Sequence, residues 1–230
     1  GLNTKVAQVV AMTLGVPLSR VRATAADTSK VANTSATAAS TGADLNGKAA
    51  EDAALQIRAR LAALAAARFG GTAAAVRFAD EQVSGEGWQI AFDELVKLAY
   101  EARVQLWSDG FYATPGLHWT RETLTGSPFF YFAYGAAVSE VAVDTLTGEW
   151  KLLRADLLHD AGNSINPAID IGQVEGAYIQ GMGWLTTEEL VWNDAGRLTT
   201  HAPSTYKIPA VADCPAVFNT RLFHNPNHVD

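Results

Sequence analysis

The apolar positions of this chain recur with a helical period in some stretches and a strand period in others. In Thr4–Leu14, Val6, Val9, Val10 and Leu14 follow helical spacing, and Gly15-Val16-Pro17 ends the run. Val21–Ala25 reads as a short strand. After a stretch of small residues, a long helix is predicted to about Phe69. Leu55, Ile57, Leu61 and Leu64 supply its apolar side, and Gly70-Gly71 stops it. Residues 72–90 read as a hairpin, Ala75–Ala79 and Gly87–Ile90 around a turn. Phe92–Glu101 is another helix, with Phe92, Leu95, Leu98 and Ala99 on one face. Phe111–His118 is strand or extended loop.

The sheet signal is clearest over residues 130–160. There Ala137, Ser139, Val141 and Val143 alternate with Val138, Glu140, Ala142 and Asp144. Thr145–Gly148 is a turn, and Glu149–Asp160 returns as a second strand. Asn166-Pro167 opens a helix that runs to about Gly181–Trp184, with the proline suited to its first turn. Arg197–His201 is a short strand before Pro203. Regular βαβ alternation is absent, so the expected class is α+β: mixed, largely antiparallel sheets with packed helices. A subdivision is expected near residues 120–130.

Composition narrows the function classes. The 230 residues are 48% hydrophobic and 18% charged, an ordinary globular balance. A formal net charge of -7 argues against nucleic acid or an anionic membrane as partner. The lone Cys214 excludes an internal disulfide and any paired-cysteine zinc or iron–sulfur site, and it fits a reducing, cytoplasmic setting. Phe129–Val138, the longest near-continuous apolar run, is too short to span a bilayer. The chain starts on Gly1 rather than Met and stops at Asp230 without a tail, so a piece of a longer polypeptide is expected.

Two segments carry candidate chemistry. Val31–Gly47, VANTSATAASTGADLNG, is built of small residues, many with hydroxyls, and it runs into a predicted helix. Such a segment lets backbone N–H groups approach a phosphate, sulfur or oxo anion at a helix start. A close-packed helix seam is the competing reading. The second segment, Gly162–Gly183, holds Gly172, Gly176, Gly181 and Gly183 but no G-x-G-x-x-G. On a helix, Gln173, Gly176 and Gln180 share a face, and amides there can read the edge of a heterocycle. Packing is the expectation for most of these glycines, and ligand contact for Gln173.

Other residues point to less. His118, His159, His201, His224 and His228 lack metal-ligand spacing, apart from the last two, and are expected to be solvated or satisfied. Glu188 and Glu189 cannot act as a dyad on a strand, where neighbours face opposite ways. Asp160 is a candidate acid or base. Lys207, within Pro203–Pro209, is expected to be solvated or salt-bridged, and Cys214 to be a buried or inert thiol.

Several motifs in order resemble the molybdenum-binding domain of the xanthine dehydrogenase family. Gly1–Lys5 resembles the end of its MGQGLxTK segment, and Asn33–Gly47 its NTSxTAASxxADLNG loop-helix. GFYATP at Gly110–Pro115, PFFYFAY at Pro128–Tyr134, NPAIDIGQVEG at Asn166–Gly176 and PSTYKIP at Pro203–Pro209 are similar to further family signatures. Only about residues 65–95 look generic. Ala32 and Ala202 stand where many members have Pro and Gly.

The resemblance implies a larger enzyme that hydroxylates purines, hypoxanthine or xanthine, with water-derived oxygen at a molybdenum–molybdopterin centre. It further implies two [2Fe-2S] clusters, FAD and NAD in partner domains or subunits, and a homo-oligomeric whole. Carried over by residue, Ala38 and Ala39 should border metal and substrate, with the Ala39 backbone nearest molybdenum. Ser40, Thr41 and Gly42 should meet the pterin or its phosphate, and Gln173 should hydrogen-bond the pterin. No residue here matches the family's general-base glutamate, which is expected beyond Asp230. The segment alone is therefore expected to cradle the cofactor without catalysing. An aldehyde oxidase-type hydroxylase and a noncatalytic assembly domain remain the alternatives.

Overall fold

A computed structural model describes residues 1–24, 27, 29, 38 and 40–225. The chain divides into two compact units, residues 1–130 and 131–230. The class is α+β, with helices, antiparallel sheets and one mixed sheet. Among the described residues no helix is long and apolar enough to cross a membrane.

The first unit begins with α1 (Leu2–Leu14), which Gly15 terminates in the left-handed conformation, φ 67°. Its N–H donates to the carbonyls of Ala11 and Met12, so only glycine holds this cap without strain. α2 (Gly42–Phe69) packs along α1. Strands β1 (Arg77–Ala79), β2 (Gln82–Gly85) and β3 (Trp88–Ala91) form an antiparallel three-stranded meander rather than the single hairpin expected. The added strand is Gln82–Gly85, which pairs on both sides. α3 (Phe92–Glu101) follows, with Leu95 and Ala99 buried as its periodicity implies. A short antiparallel pair, β4 (His118–Thr120) and β5 (Thr125–Ser127), completes the unit. Val21–Thr24 forms no strand, because no neighbouring strand pairs with it.

The apolar core of this unit is formed by Leu61, Val76, Phe78, Val83, Leu95 and Ala99, with Ala62 and Ala65. It therefore sits where the sequence looks most generic. The C-terminal half of α2 lies in it, whereas Leu55 on the predicted apolar side is exposed. Arg58 ties the core to α1: its guanidinium lies 5.1 Å from the Phe78 ring centroid and donates to the Thr13 carbonyl at 3.1 Å.

The second unit is a three-stranded sheet with one long helix. β6 (Gly135–Val143) and β7 (Trp150–His159) are antiparallel, with a register shift between Glu140 and Val141. β8 (Val217–Leu222), not predicted, runs parallel to β7. Between them in sequence comes α4 (Pro167–Thr186), two residues longer than its pattern suggests. Asn166 caps it, its side-chain oxygen accepting from the Ile169 N–H at 3.2 Å. Tyr178 fastens α4 to the sheet: its hydroxyl lies 2.6 Å from Ser139 Oγ and its ring packs on Phe218. Arg197–His201 contributes only a single bridge, Trp192 to Leu198, instead of a strand.

On β7 and β8, Arg154 and Asn219 both donate to the Asp156 carboxylate, at 2.5 and 2.8 Å. These bonds hold the Asp156 carboxyl down at about 2. Because the folded value lies below the unfolded one, this contribution is full above about pH 4 and disappears as pH falls towards 2. Protection of β7 and β8 amides, taken relative to their intrinsic exchange rate at each pH, is therefore expected to fall between pH 4 and 2. An Asp156→Asn variant should lose that step in the profile.

Candidate functional site

The start of α2 is the first candidate. The helix has 28 residues, and among the described residues no side chain caps it. Thr41 occupies the cap position, but its hydroxyl donates to the Ala38 carbonyl at 2.8 Å. Helix geometry leaves first-turn N–H groups without intrahelical acceptors, and a capping oxygen would normally take one of them. Ser40 is exposed with φ 57°, a left-handed conformation that is uncommon for a residue with a Cβ. Gly42 is buried, and Ala38 is exposed. The expectation for Ala39 falls outside the described residues.

Gln173, the second candidate, lies in the other unit on α4. It is exposed, as are Gly172, Gly176 and Gln180. A Cβ built on Gly172, Gly176 or Gly181 meets no atom within 4 Å. Among the described residues, packing is thus not what these three glycines provide, contrary to the sequence expectation. Only Gly183 is closely packed, its Cβ position lying 2.5 Å from Pro209 Cγ and from Glu188 Oε1. Glycines inside a helix cost about 1 kcal/mol each, so an open glycine face carries a stability penalty without a packing return in this unit. It leaves a smooth surface beside the Gln173 amide.

The remaining candidates have local structural partners. Tyr206 donates to Glu188 Oε2 at 2.6 Å, a bond that raises the tyrosine's pKa. Thr187 donates to the Lys207 carbonyl at 2.8 Å, and Lys207 Nζ to the Ser204 carbonyl at 2.6 Å. Residues 203–209 are thereby strapped to the end of α4, and among the described residues Lys207 makes no salt bridge. Asp160 accepts from Asn225 Nδ2 and from the Gly162 N–H, both at 2.9 Å, and these bonds lower its pKa. It is a loop anchor held ionised rather than a proton donor. Cys214 is a free, exposed thiol, so of the two states expected, buried or inert, the buried one does not hold. Among the described residues no cluster of three or more His, Cys, Asp or Glu could hold a metal ion.

Each of the two segments, taken by itself, has chemistry that suits part of an anionic heterocyclic cofactor. The α2 start offers backbone donors with no side-chain cap among the described residues, and α4 offers an exposed amide next to open glycines. One arrangement on α2 escaped the sequence reading: Asp52, Gln56 and Arg60, spaced four apart, bind a neighbouring segment through hydrogen bonds. Their spacing was the available signal.

Comparison with known proteins is consistent with that fit. The sequence model of the molybdopterin cofactor-binding domain matches residues 1–215. The chain is 45% identical over 228 residues to xanthine dehydrogenase/oxidase of Mus musculus, covering 99% of this chain and 16% of that protein. It is 44% identical over 225 residues to xanthine dehydrogenase of Dictyostelium discoideum, covering 96% and 15%. The chain thus spans about a sixth of the length of these relatives. Among solved structures, quinoline 2-oxidoreductase from Pseudomonas putida 86 superposes with a TM-score of 0.82 at 26% identity, covering 99% of this chain and 28% of that one. A Cu,Mo-CO dehydrogenase shares the fold, with a TM-score of 0.79 at 21% identity over 97% of this chain and 27% of its own. Since the match takes in both the α2 start and the glycine face of α4, the chain belongs to the molybdopterin cofactor-binding domain family.

Proposed function

We propose that this chain is the cofactor-holding part of a molybdenum hydroxylase that oxidises hypoxanthine and xanthine to urate. The observation that carries this reading is the exposed Gln173 amide, which makes no hydrogen bond among the described residues, beside glycines that leave open space. The 42–45% identity to xanthine dehydrogenases over nearly the whole chain supports the purine class. In this reading Ser40, Thr41 and Gly42 hold the pterin and its phosphate through backbone N–H groups at the positive end of the α2 dipole. Gln173 hydrogen-bonds the pterin. Ala38 and Ala39 border metal and substrate, their methyl groups leaving room for an aromatic ring, with the Ala39 backbone nearest molybdenum. When bound, the molybdenum centre supplies the redox chemistry that inserts water-derived oxygen.

Two [2Fe-2S] clusters, FAD and an NAD acceptor belong to other domains or subunits in this proposal, as does the general base. The whole enzyme is a cytoplasmic homo-oligomer. Purified holoenzyme is expected to carry molybdenum and pterin and to convert xanthine to urate. A Gln173→Ala variant should bind the cofactor about tenfold more weakly, as expected for lost hydrogen bonds worth about 1–1.5 kcal/mol. Its unfolding should be unchanged, because an exposed side chain contributes no core volume. Full molybdenum content and full turnover in that variant would remove Gln173 from the site. Wild-type protein without molybdenum or pterin fluorescence would leave a scaffold domain as the better description.

A further inference from the structure

Residues 104–114 belong to no strand, yet they alternate strictly in exposure. Val104, Leu106, Ser108 and Gly110 are half-buried, and Gln105, Trp107, Asp109 and Phe111 are exposed. That alternation is the signature of an extended chain with one face covered. Backbone groups of an extended chain need partners, which a sheet would supply. Here side chains of α2 supply them. Arg60 Nη2 donates to the Trp107 carbonyl at 3.0 Å, and Gln56 Nε2 to the Asp109 carbonyl at 3.1 Å. The Phe111 N–H donates to Asp52 Oδ2 at 3.1 Å.

The register follows from element geometry. Every second residue of an extended chain advances about 6.6 Å, and every fourth residue of a helix about 6 Å. Residues 107, 109 and 111 therefore meet 60, 56 and 52 in turn, and the segment runs antiparallel to α2, towards its start. Cross-links complete the ladder. Gln56 Nε2 also donates to Asp52 Oδ2 at 3.1 Å, Ser108 Oγ to Gln56 Oε1 at 2.7 Å, and Arg60 Nη1 to Gln105 Oε1 at 3.1 Å. Gly110 lets the two backbones touch: a Cβ there would lie 2.7 Å from the Ala53 nitrogen and closer still to the Ala49 carbonyl oxygen.

The N-terminal half of α2 needs such support. From Gly42 to Arg60 only Gly42, Gly47 and Ala54 are buried, and none of them has a large side chain. Large apolar side chains fix the far half of the helix, whereas this half is held by its packing along α1 and by these polar bonds. We propose that Asp52, Gln56 and Arg60 form a polar splint that positions the first turn of α2, with Asp52 as its principal positioning residue. That this turn holds molybdopterin rests on the function proposed above. Positioning of the turn itself does not.

The test measures amide hydrogen exchange and molybdopterin release in the full-length holoenzyme. An Asp52→Ala/Gln56→Leu variant should exchange its amides at Leu45–Ala49 about tenfold faster, as for a loss of about 1.4 kcal/mol, and should release the cofactor faster on dilution. Asp52→Asn should restore slow exchange, since its amide oxygen still accepts the Phe111 N–H. Ser108→Ala, a milder change in the same ladder, should quicken the same amides by a smaller factor. If residues 105–111 loosen while Leu45–Ala49 exchange at the wild-type rate, the splint does not position the turn and the proposal fails. If exchange responds as expected but wild-type protein holds no molybdopterin, the splint stands and the cofactor assignment falls.

Discussion

Replacing Gly110 by alanine should destabilise the first unit by about 3 kcal/mol or more. The added methyl would enter the space of the Ala49 carbonyl oxygen and lie 2.7 Å from the Ala53 nitrogen. Both are backbone atoms of a helix, which cannot rotate aside as a flexible side chain would. Overpacking a close contact costs about 1–3 kcal/mol when neighbours can adjust, and this neighbour has little freedom. The chain would instead have to lift away from α2, breaking the Phe111 bond to Asp52 and the Asp109 bond to Gln56. Hydrogen exchange of α2 amides near Ala53 should rise at least a hundredfold. Exchange within about threefold of wild type would mean that the close approach is not maintained in solution.

A comparable loss is expected in the apolar core of the same unit for Leu95→Ala. Leu95 has 0% exposure and packs among Leu61, Val83 and Ala99 in the core. Removing a buried leucine side chain costs about 2–5 kcal/mol, the spread reflecting how far the site collapses into the cavity. Here collapse is restricted, since α2, β2 and α3 all border the site and are anchored by one another. Thermal or denaturant unfolding followed by a probe in the first unit should report the loss. Retention of wild-type stability would place the core elsewhere.

These two positions show what the sequence could and could not convey. Helix ends were legible where a glycine or proline enforces them, as at Gly15, Gly70 and Asn166-Pro167. The Leu95 face was legible from its period. The location of the core was not, because residues 65–95 carry ordinary hydrophobic patterning with no distinctive motif. β8 escaped notice because its pairing with β7 is parallel and spans the whole of α4 in sequence. Of the candidate site, small residues flagged the α2 start and amides flagged α4. The direction of the Thr41 hydroxyl and the emptiness around Gly172 and Gly176 are properties of three-dimensional placement, and spacing carries no record of them. Gly110 was visible as a motif residue, but the reason for glycine there emerges only against Ala49.

Released from its polar ladder, α2 would act as a lever. Leu61, locked among apolar neighbours, is its fulcrum, and Gly42 lies nineteen residues away, about 29 Å along the axis at 1.5 Å per residue. A tilt of only about 4° at the fulcrum would swing the tip by about 2 Å, enough to break any hydrogen bond made there. If the function proposed above holds, substitutions deep in the hydrophobic interior should therefore weaken prosthetic-group retention, and moderate warming should loosen that grip before the unit as a whole melts.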